Sequence, residues 1–276
     1  MDRIIIAKIS EGLGNQLFMY ANAYAISKKF DLTLCLDPYS GYYKNNIWSF
    51  MLDNFNISSK TAPSEWIFSN NYMNIIKKIK IKCDFFKKKK SFLFEQKNKD
   101  KSTKYKPFCL DNVNDTFYID GNFETEKYFS SYRKDLLSEF TFKNNKKFTN
   151  NKFLHMINNE DVVSITVRQN RFSERIKNKD NIKSIHKSDL FVKETVNYIY
   201  KSIEFIKTKI KNPKFLLWSN DFNNLQIYFP RNKFYYIENS NDKILNDFYL
   251  LTQCKYFIVG PSTFSWRGAW LSNKDN

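Results

Sequence analysis

From residue 162 onward, apolar runs of strand length alternate with helical stretches, and this alternation restricts the fold more than any other feature of the chain. The runs are VVSITVR (162–168), FLLWS (215–219), FYYIE (234–238) and YFIVG (256–260). Between the first two, Ser188 to Lys211 brings Leu190, Val192, Val196, Ile199, Ile203 and Ile206 round at three- and four-residue steps, a helical period. NLQIYF reads as a short helix, Ile244 to Cys254 as another, and a last helix begins near Phe264. Strands separated by helices run parallel and are joined by right-handed crossovers. The expected product is a doubly wound α/β sheet, which binds ligands beyond the carboxyl ends of its strands.

The first half opens the same way, with a strand from Ile4 to Ile9, a glycine loop, a helix to Phe30 and the strand TLCLD. Two Rossmann-like domains facing a cleft are expected, residues 1–158 and 159–276, with the boundary in the loop-like composition of 143–160. Between the two clear patterns, residues 87–106 (KKKKSFLFEQKNKDKSTKYK) read as an insertion or mobile excursion. TFYIDG (116–121) reads as a strand and Glu124 to Phe140 as a helix.

Composition narrows the chemistry. Of 276 residues 42% are hydrophobic, enough for a sizeable core, and only 6 are Gly, so a Gly-x-Gly near the start is a concentrated use of a scarce residue. The 4 Cys form no Cys-x-x-Cys pair and there are 2 His, which argues against a zinc ribbon, a redox dithiol or a His-based metal site. No bound metal is expected. The N-terminus lacks a signal-peptide core and no run approaches the roughly 20 apolar residues of a membrane span, so the expected setting is the cytoplasm. A net charge of +17 admits nucleic acid, an anionic membrane or a small anionic ligand as partner, or lysines that only solvate a surface.

Three places have the right residues for chemistry. In EGLGNQ, Gly12 and Gly14 are expected to take positive φ where strand turns into helix, and Asn15 and Gln16 suit a sugar; a plain tight turn is the competing reading. In VGPSTFSWRGAW (259–270), Ser262, Thr263 and Ser265 gather at a helix start, as a helix cap or as phosphate ligands. Arg168 ends the first strand of the second half, where a guanidinium can grip a phosphate or merely face water.

The segments EGLGNQLFMYANAYAISKKF, LDPYSGYY, DGNFETEKYFSSYRKDLLSEFTFK, VSITVRQNRF, WSND and NDFYLLTQCKYFIVGPSTFSWRGAWLS, taken in order, resemble the bacterial α1,2-fucosyltransferases of glycosyltransferase family eleven. The resemblance spans nearly the whole chain. It implies a metal-independent, inverting GT-B enzyme that needs no cofactor, uses GDP-fucose as donor and a glycan as acceptor. Acceptor contacts fall mainly in the first domain and donor contacts in the second. It gives Arg168 the diphosphate, Asp247 the guanine edge, Ser262 and Thr263 the phosphates, and places Asp221 in an acidic pair of unassigned role. The family's H-x-R-R-x-D run is here Thr166, Val167, Arg168, Gln169, Asn170, Arg171, so only the first arginine is kept, and Thr166 stands as a donor-binding residue in the histidine's place. The second tryptophan of its FSWWGAW is Arg267. Either Arg171 or Arg267 restores the charge lost at Gln169, or Arg267 is drift at an outward-facing position.

Glu11 ranks first as base for the acceptor hydroxyl and Glu174 second. The chain stops slightly earlier than family members do. In YMNIIKKIKIKCDFF (72–86), Tyr72, Ile75, Ile76, Ile79, Cys83 and Phe86 share a helical face with Lys77, Lys78 and Lys80 largely off it. Such a helix either packs that face inward or lies on an anionic membrane, where a lipid-linked acceptor would wait at the inner face of the cytoplasmic membrane. Another nucleotide sugar, a non-catalytic sugar-nucleotide binder and, last, a nucleic-acid-binding protein remain as alternatives, though no nucleic acid is expected as partner.

Overall fold

The computed structural model describes residues 3–44, 47–98, 103–110, 115–149, 151–174, 181–238 and 243–272. The chain divides into two compact units, Met1–Asn144 and Asn145–Asn276. The division lies inside the loop-like 143–160 stretch.

The first unit runs β1 (Ile4–Lys8), α1 (Leu13–Phe30), β2 (Thr33–Asp37), β3 (Lys60–Thr61), α2 (Asn71–Phe86), β4 (Phe92–Phe94), β5 (Thr116–Asp120) and α3 (Arg133–Glu139). Its five strands are all parallel, in the order β3-β2-β1-β5-β4. Apart from Asn15, helix α1 is buried from Leu13 to Ser27, which explains why its apolar residues fall on every side rather than in one stripe. On the α2 side, Ile6, Cys35, Ala62, Phe68 and Tyr118 form the core.

Two expectations fail here. The 87–106 stretch is not simply an excursion: Phe92–Phe94 is the edge strand β4, paired in parallel with β5, and Leu93 is buried. Three residues amid lysines are too few to show a strand period. Residues 124–140 are not one helix either; two 3-10 turns, Glu126–Tyr128 and Ser130–Tyr132, precede α3. Residues 99–102 and those after Ser272 lie outside the described residues.

The second unit runs α4 (Lys146–Thr149), α5 (Lys152–Asn159), β6 (Val162–Val167), α6 (Ile182–Lys207), β7 (Lys214–Ser219), β8 (Phe234–Tyr236), α7 (Lys243–Gln253), β9 (Tyr256–Ile258) and α8 (Thr263–Leu271). The sheet order is β8-β7-β6-β9, again all parallel. All six residues of β6 are buried because both faces of the sheet are covered. Val163, Ile165 and Val167 meet Val192, Val196, Ile199 and Ile203 of α6. Across the sheet, Val162, Leu216 and Trp218 meet α5 and α7 through Phe153, Ile157, Leu250 and Leu251. Leu190, expected on the inner stripe of α6, is exposed; the helix starts six residues earlier than Ser188, at Ile182, capped by Asn181, which accepts from the Ser184 N–H at 3.1 Å.

Candidate functional site

In a doubly wound sheet, neighbouring strands whose connections leave in opposite directions open a crevice at their carboxyl ends. In the second unit these strands are β6 and β9, and the loops that leave them carry Arg168 and the Gly260 to Thr263 turn.

The turn is seated directly on β6. Gly260 donates its N–H to the Thr166 hydroxyl at 3.1 Å. Thr166 is buried and its oxygen holds this loop, so the residue that stands in place of the family histidine serves the fold. Ser262 is the N-cap of α8, accepting from the Ser265 N–H at 3.1 Å, and Ser265 is buried and donates to the Gly260 carbonyl at 2.7 Å. Two of the three hydroxyls thus shape the turn. Thr263 is half-buried, and among the described residues its hydroxyl makes no hydrogen bond.

Arg168 pairs with Glu174, both about three-quarters shielded, at 24% and 20% exposure. Glu174, second choice as base, is the ion-pair partner of Arg168. Gln169 donates to the carbonyls of Asp221 and Asn223 at 2.7 and 2.9 Å, and its N–H reaches Asn220 at 2.8 Å. Asp221 accepts from the Asn170 amide at 3.1 Å and the Asn223 N–H at 2.9 Å. Gln169 and Asp221 stitch the loops after β6 and β7 together, Gln169 as donor to two carbonyls and Asp221 as acceptor.

Arg171 crosses the crevice and donates to the Pro261 carbonyl at 2.9 Å, next to Ser262 and Thr263. Its charge stands at the hydroxyl turn. Arg267 is 0% exposed, with Trp266 and Trp270 rings 5.5 and 5.1 Å from its guanidinium carbon. It is not an outward-facing residue, and α8 carries it into the interior. Asp247 is buried on α7, a helix packed against α8.

In the first unit the corresponding strands are β1 and β5. The glycine loop differs from expectation: Gly12 has φ −77° as N-cap of α1, Gly14 lies inside the helix, and no glycine has positive φ. Glu11 takes the left-handed conformation instead, with φ 65°. Its carbonyl accepts from Gln16 at 2.9 Å and from the Tyr42 hydroxyl at 3.4 Å. Gln16 is wholly buried, donates also to the Ser49 carbonyl at 2.8 Å and accepts from the Met51 N–H at 2.9 Å. That corrects its assignment to a sugar: its amide fastens two loops. Glu11, Gly12 and Asn15 are partly exposed, while Gly14 is buried within α1.

Sequence reasoning missed an ionic cluster at this crevice. Lys8 ends β1, Asp120 ends β5, and Lys77 reaches them from α2; each ammonium lies 3.0 Å from the Asp120 carboxylate. Burial pushes the Asp120 carboxyl up, but Lys8 and Lys77 outweigh it and hold it below the usual carboxylate range. A lysine closing IIIAK and an aspartate closing TFYID were the available signal. Behind the cluster, Asp37 is buried, accepting from Tyr118 at 2.7 Å and from the N–H groups of Tyr39 and Ser40 at 3.1 and 3.0 Å. Among the described residues, no three His, Cys, Asp or Glu side chains come together as a metal site.

Comparison with known proteins fits this architecture. The chain is 27% identical over 282 aligned positions to an Escherichia coli alpha-1,2-colitosyltransferase, covering 99% of this chain and 89% of that one. It is 26% identical to the E. coli O-antigen biosynthesis glycosyltransferase WbnK, over 96% of this chain and 89% of that one. The solved structure of NodZ alpha-1,6-fucosyltransferase soaked with GDP-fucose superposes with a TM-score of 0.57 at 15% identity, covering 98% of this chain and 92% of that one. This likeness establishes the α/β fold as the GT-B type. The family described as glycosyl transferase family 11 matches residues 4–276, and the chain belongs to that family of glycosyltransferases.

Proposed function

We propose that this glycosyltransferase moves fucose from GDP-fucose to a hydroxyl of a glycan acceptor, in α1,2 linkage with inversion at the sugar C1, during surface-polysaccharide assembly. The observation that carries the reading is the shared crevice of Arg168 and the Gly260 to Thr263 turn, in a chain matched to its family almost end to end. The relatives named for alpha-1,2-colitosyl transfer and O-antigen biosynthesis support the linkage and the kind of product.

In this reading the second unit holds the donor and the first meets the acceptor. The bond from C1 to the diphosphate oxygen breaks as the acceptor oxygen forms its own, leaving negative charge on GDP. Arg168, the Thr263 hydroxyl and the first N–H groups of α8 stabilise that charge without a metal ion. Asp247 accepts from guanine. Glu11 takes the proton of the acceptor hydroxyl, and the partly exposed Asn15 borders the sugar. A lipid carrier presents the acceptor at the inner face of the cytoplasmic membrane.

Thermal-shift titration with GDP-fucose and other GDP-linked sugars, followed by GDP release with and without acceptor, tests the proposal. Stabilisation by GDP-fucose and acceptor-dependent GDP release are expected. Preference for another nucleotide sugar would favour the second reading, a transferase for a different sugar, which the colitosyltransferase relative supports.

A further inference from the structure

Helix α2 is built the opposite way from an ordinary surface helix. Lys77 and Lys80 point inward: Lys77 reaches Asp120 and lies 4.8 Å from the Tyr118 ring centre, and Lys80 lies 4.0 Å from the centre of Trp66 while donating to the Glu65 carbonyl at 2.9 Å. Their stems and charges seat the helix on the aromatic core, so the apolar stripe faces out. Tyr72, Ile75, Ile79 and Phe86 are 70%, 56%, 54% and 81% exposed, Cys83 is exposed, and Phe85 beside them is 80% exposed. Steps of three and four residues make this one continuous stripe along a helix about 24 Å long. The reading in which α2 packs this whole face inward is overturned for Tyr72, Ile75, Ile79, Cys83 and Phe86, while Ile76 of the same face is half-buried and Met73 packs on the core. Single exposed apolar side chains are ordinary, but a whole stripe marks a contact surface.

The surroundings specify the contact. Lys78 and Lys82 flank the stripe, and Lys87, Lys88, Lys89 and Lys90 follow its phenylalanine end, all exposed. An apolar strip bordered by cations complements a leaflet of acyl chains beneath anionic headgroups. Asp84 fixes the turn that carries these lysines, accepting from the Ser91 N–H at 3.0 Å. Among the described residues no helix is long and apolar enough to cross a membrane.

We propose that α2 and Lys87 to Lys90 form a membrane-docking face, which lies on an anionic bilayer surface with Phe85 and Phe86 inserted at its edge. The inference goes beyond the sugar-transfer reading and holds whichever sugar is transferred.

Sedimentation of the full chain with vesicles of phosphatidylcholine, alone or mixed with phosphatidylglycerol, tests it. The protein is expected to pellet with the mixed vesicles and to come off as salt rises. Phe85→Ser with Phe86→Ser should weaken binding on the order of tenfold or more at every salt concentration. Glutamine at Lys87, Lys88, Lys89 and Lys90 together should abolish the preference for phosphatidylglycerol. Because these side chains are exposed, the melting temperatures should stay at the wild-type value, and Phe205→Ser on α6 should pellet as wild type. Failure to pellet with mixed vesicles, equal pelleting with both compositions, or unchanged binding of the phenylalanine variant would overturn the proposal. So would a lipid-free dimer that the phenylalanine variant dissociates, since the face would then belong to a second copy.

Discussion

Gly260 and Thr166 touch so closely that a methyl group on the glycine would lie 2.4 Å from the Thr166 carbonyl oxygen and 2.7 Å from its hydroxyl. The glycine is set by close approach, since its φ is not positive. Gly260→Ala must push the turn off β6, at a cost of about 1–3 kcal/mol. Urea unfolding should show that loss together with weaker sugar-nucleotide binding; wild-type values for both would contradict the seating described.

The hydroxyls beside that turn should separate by function. Ser262→Ala removes the cap of α8 and should lower stability by about 1 kcal/mol. Thr263→Ala removes no hydrogen bond within the described residues, so its stability should match wild type while donor affinity falls. Equal behaviour of the two variants in paired melting and donor titration would count against this division.

Arg168→Ala should lower turnover on the order of a hundredfold, the scale for losing a donor to a departing oxyanion. Lys88→Ala, assayed with a water-soluble acceptor, should leave turnover unchanged. Arg171→Glu should weaken donor binding, because its guanidinium stands against Pro261 at the hydroxyl turn. Calorimetry with GDP reads the last effect, and an unchanged affinity would remove Arg171 as the replacement for the charge absent at Gln169.

The ionic cluster at β1 and β5 makes a pH-dependent prediction. Asp120 titrates below its ordinary value of 3.8 when folded, so its contribution is complete above that value and is lost as pH falls through the lower folded one. Asp120→Asn should therefore destabilise the protein by about 2 kcal/mol at neutral pH. The gap from wild type should narrow in acid below the ordinary carboxylate range. A difference that stays constant between neutral and strongly acid unfolding curves would rule out the linkage.

Gln16→Leu should cost about 3 kcal/mol, since it leaves two carbonyls and the Met51 N–H without their buried partner. Asn15→Ala, one residue away and partly exposed, should cost far less. Chemical denaturation of both variants measures the contrast.

The parallel order of both sheets was legible because strands buried on both faces need uninterrupted apolar runs, as VVSITV shows, and because α6 keeps its inner stripe over many turns. The strand end marked the place of Arg168 in the second unit, while the roles given to Asp247, Ser262 and Thr263 came from the family resemblance. What stayed hidden depends on which partner a polar group meets. Nothing local tells that Gln16 is consumed by Ser49 and Met51, or that Ser265 turns inward, or that Thr166 holds Gly260 from 94 residues away. Strand β4 escaped because three residues carry too little period. The left-handed residue was assigned to a glycine because glycine pays least there, while the chain uses Glu11.

The inward lysines of α2 change what the formal charge of +17 means. Composition counts every lysine as solvated, yet Lys77 and Lys80 work as packing groups, and burial lowers the proton affinity of Lys80. Amine-reactive reagents should label the exposed Lys87 to Lys90 before Lys77, whose ammonium is shielded and held against Asp120. Redesigning this protein toward neutrality should spare Lys77 and Lys80, because replacing them would remove mortar rather than paint.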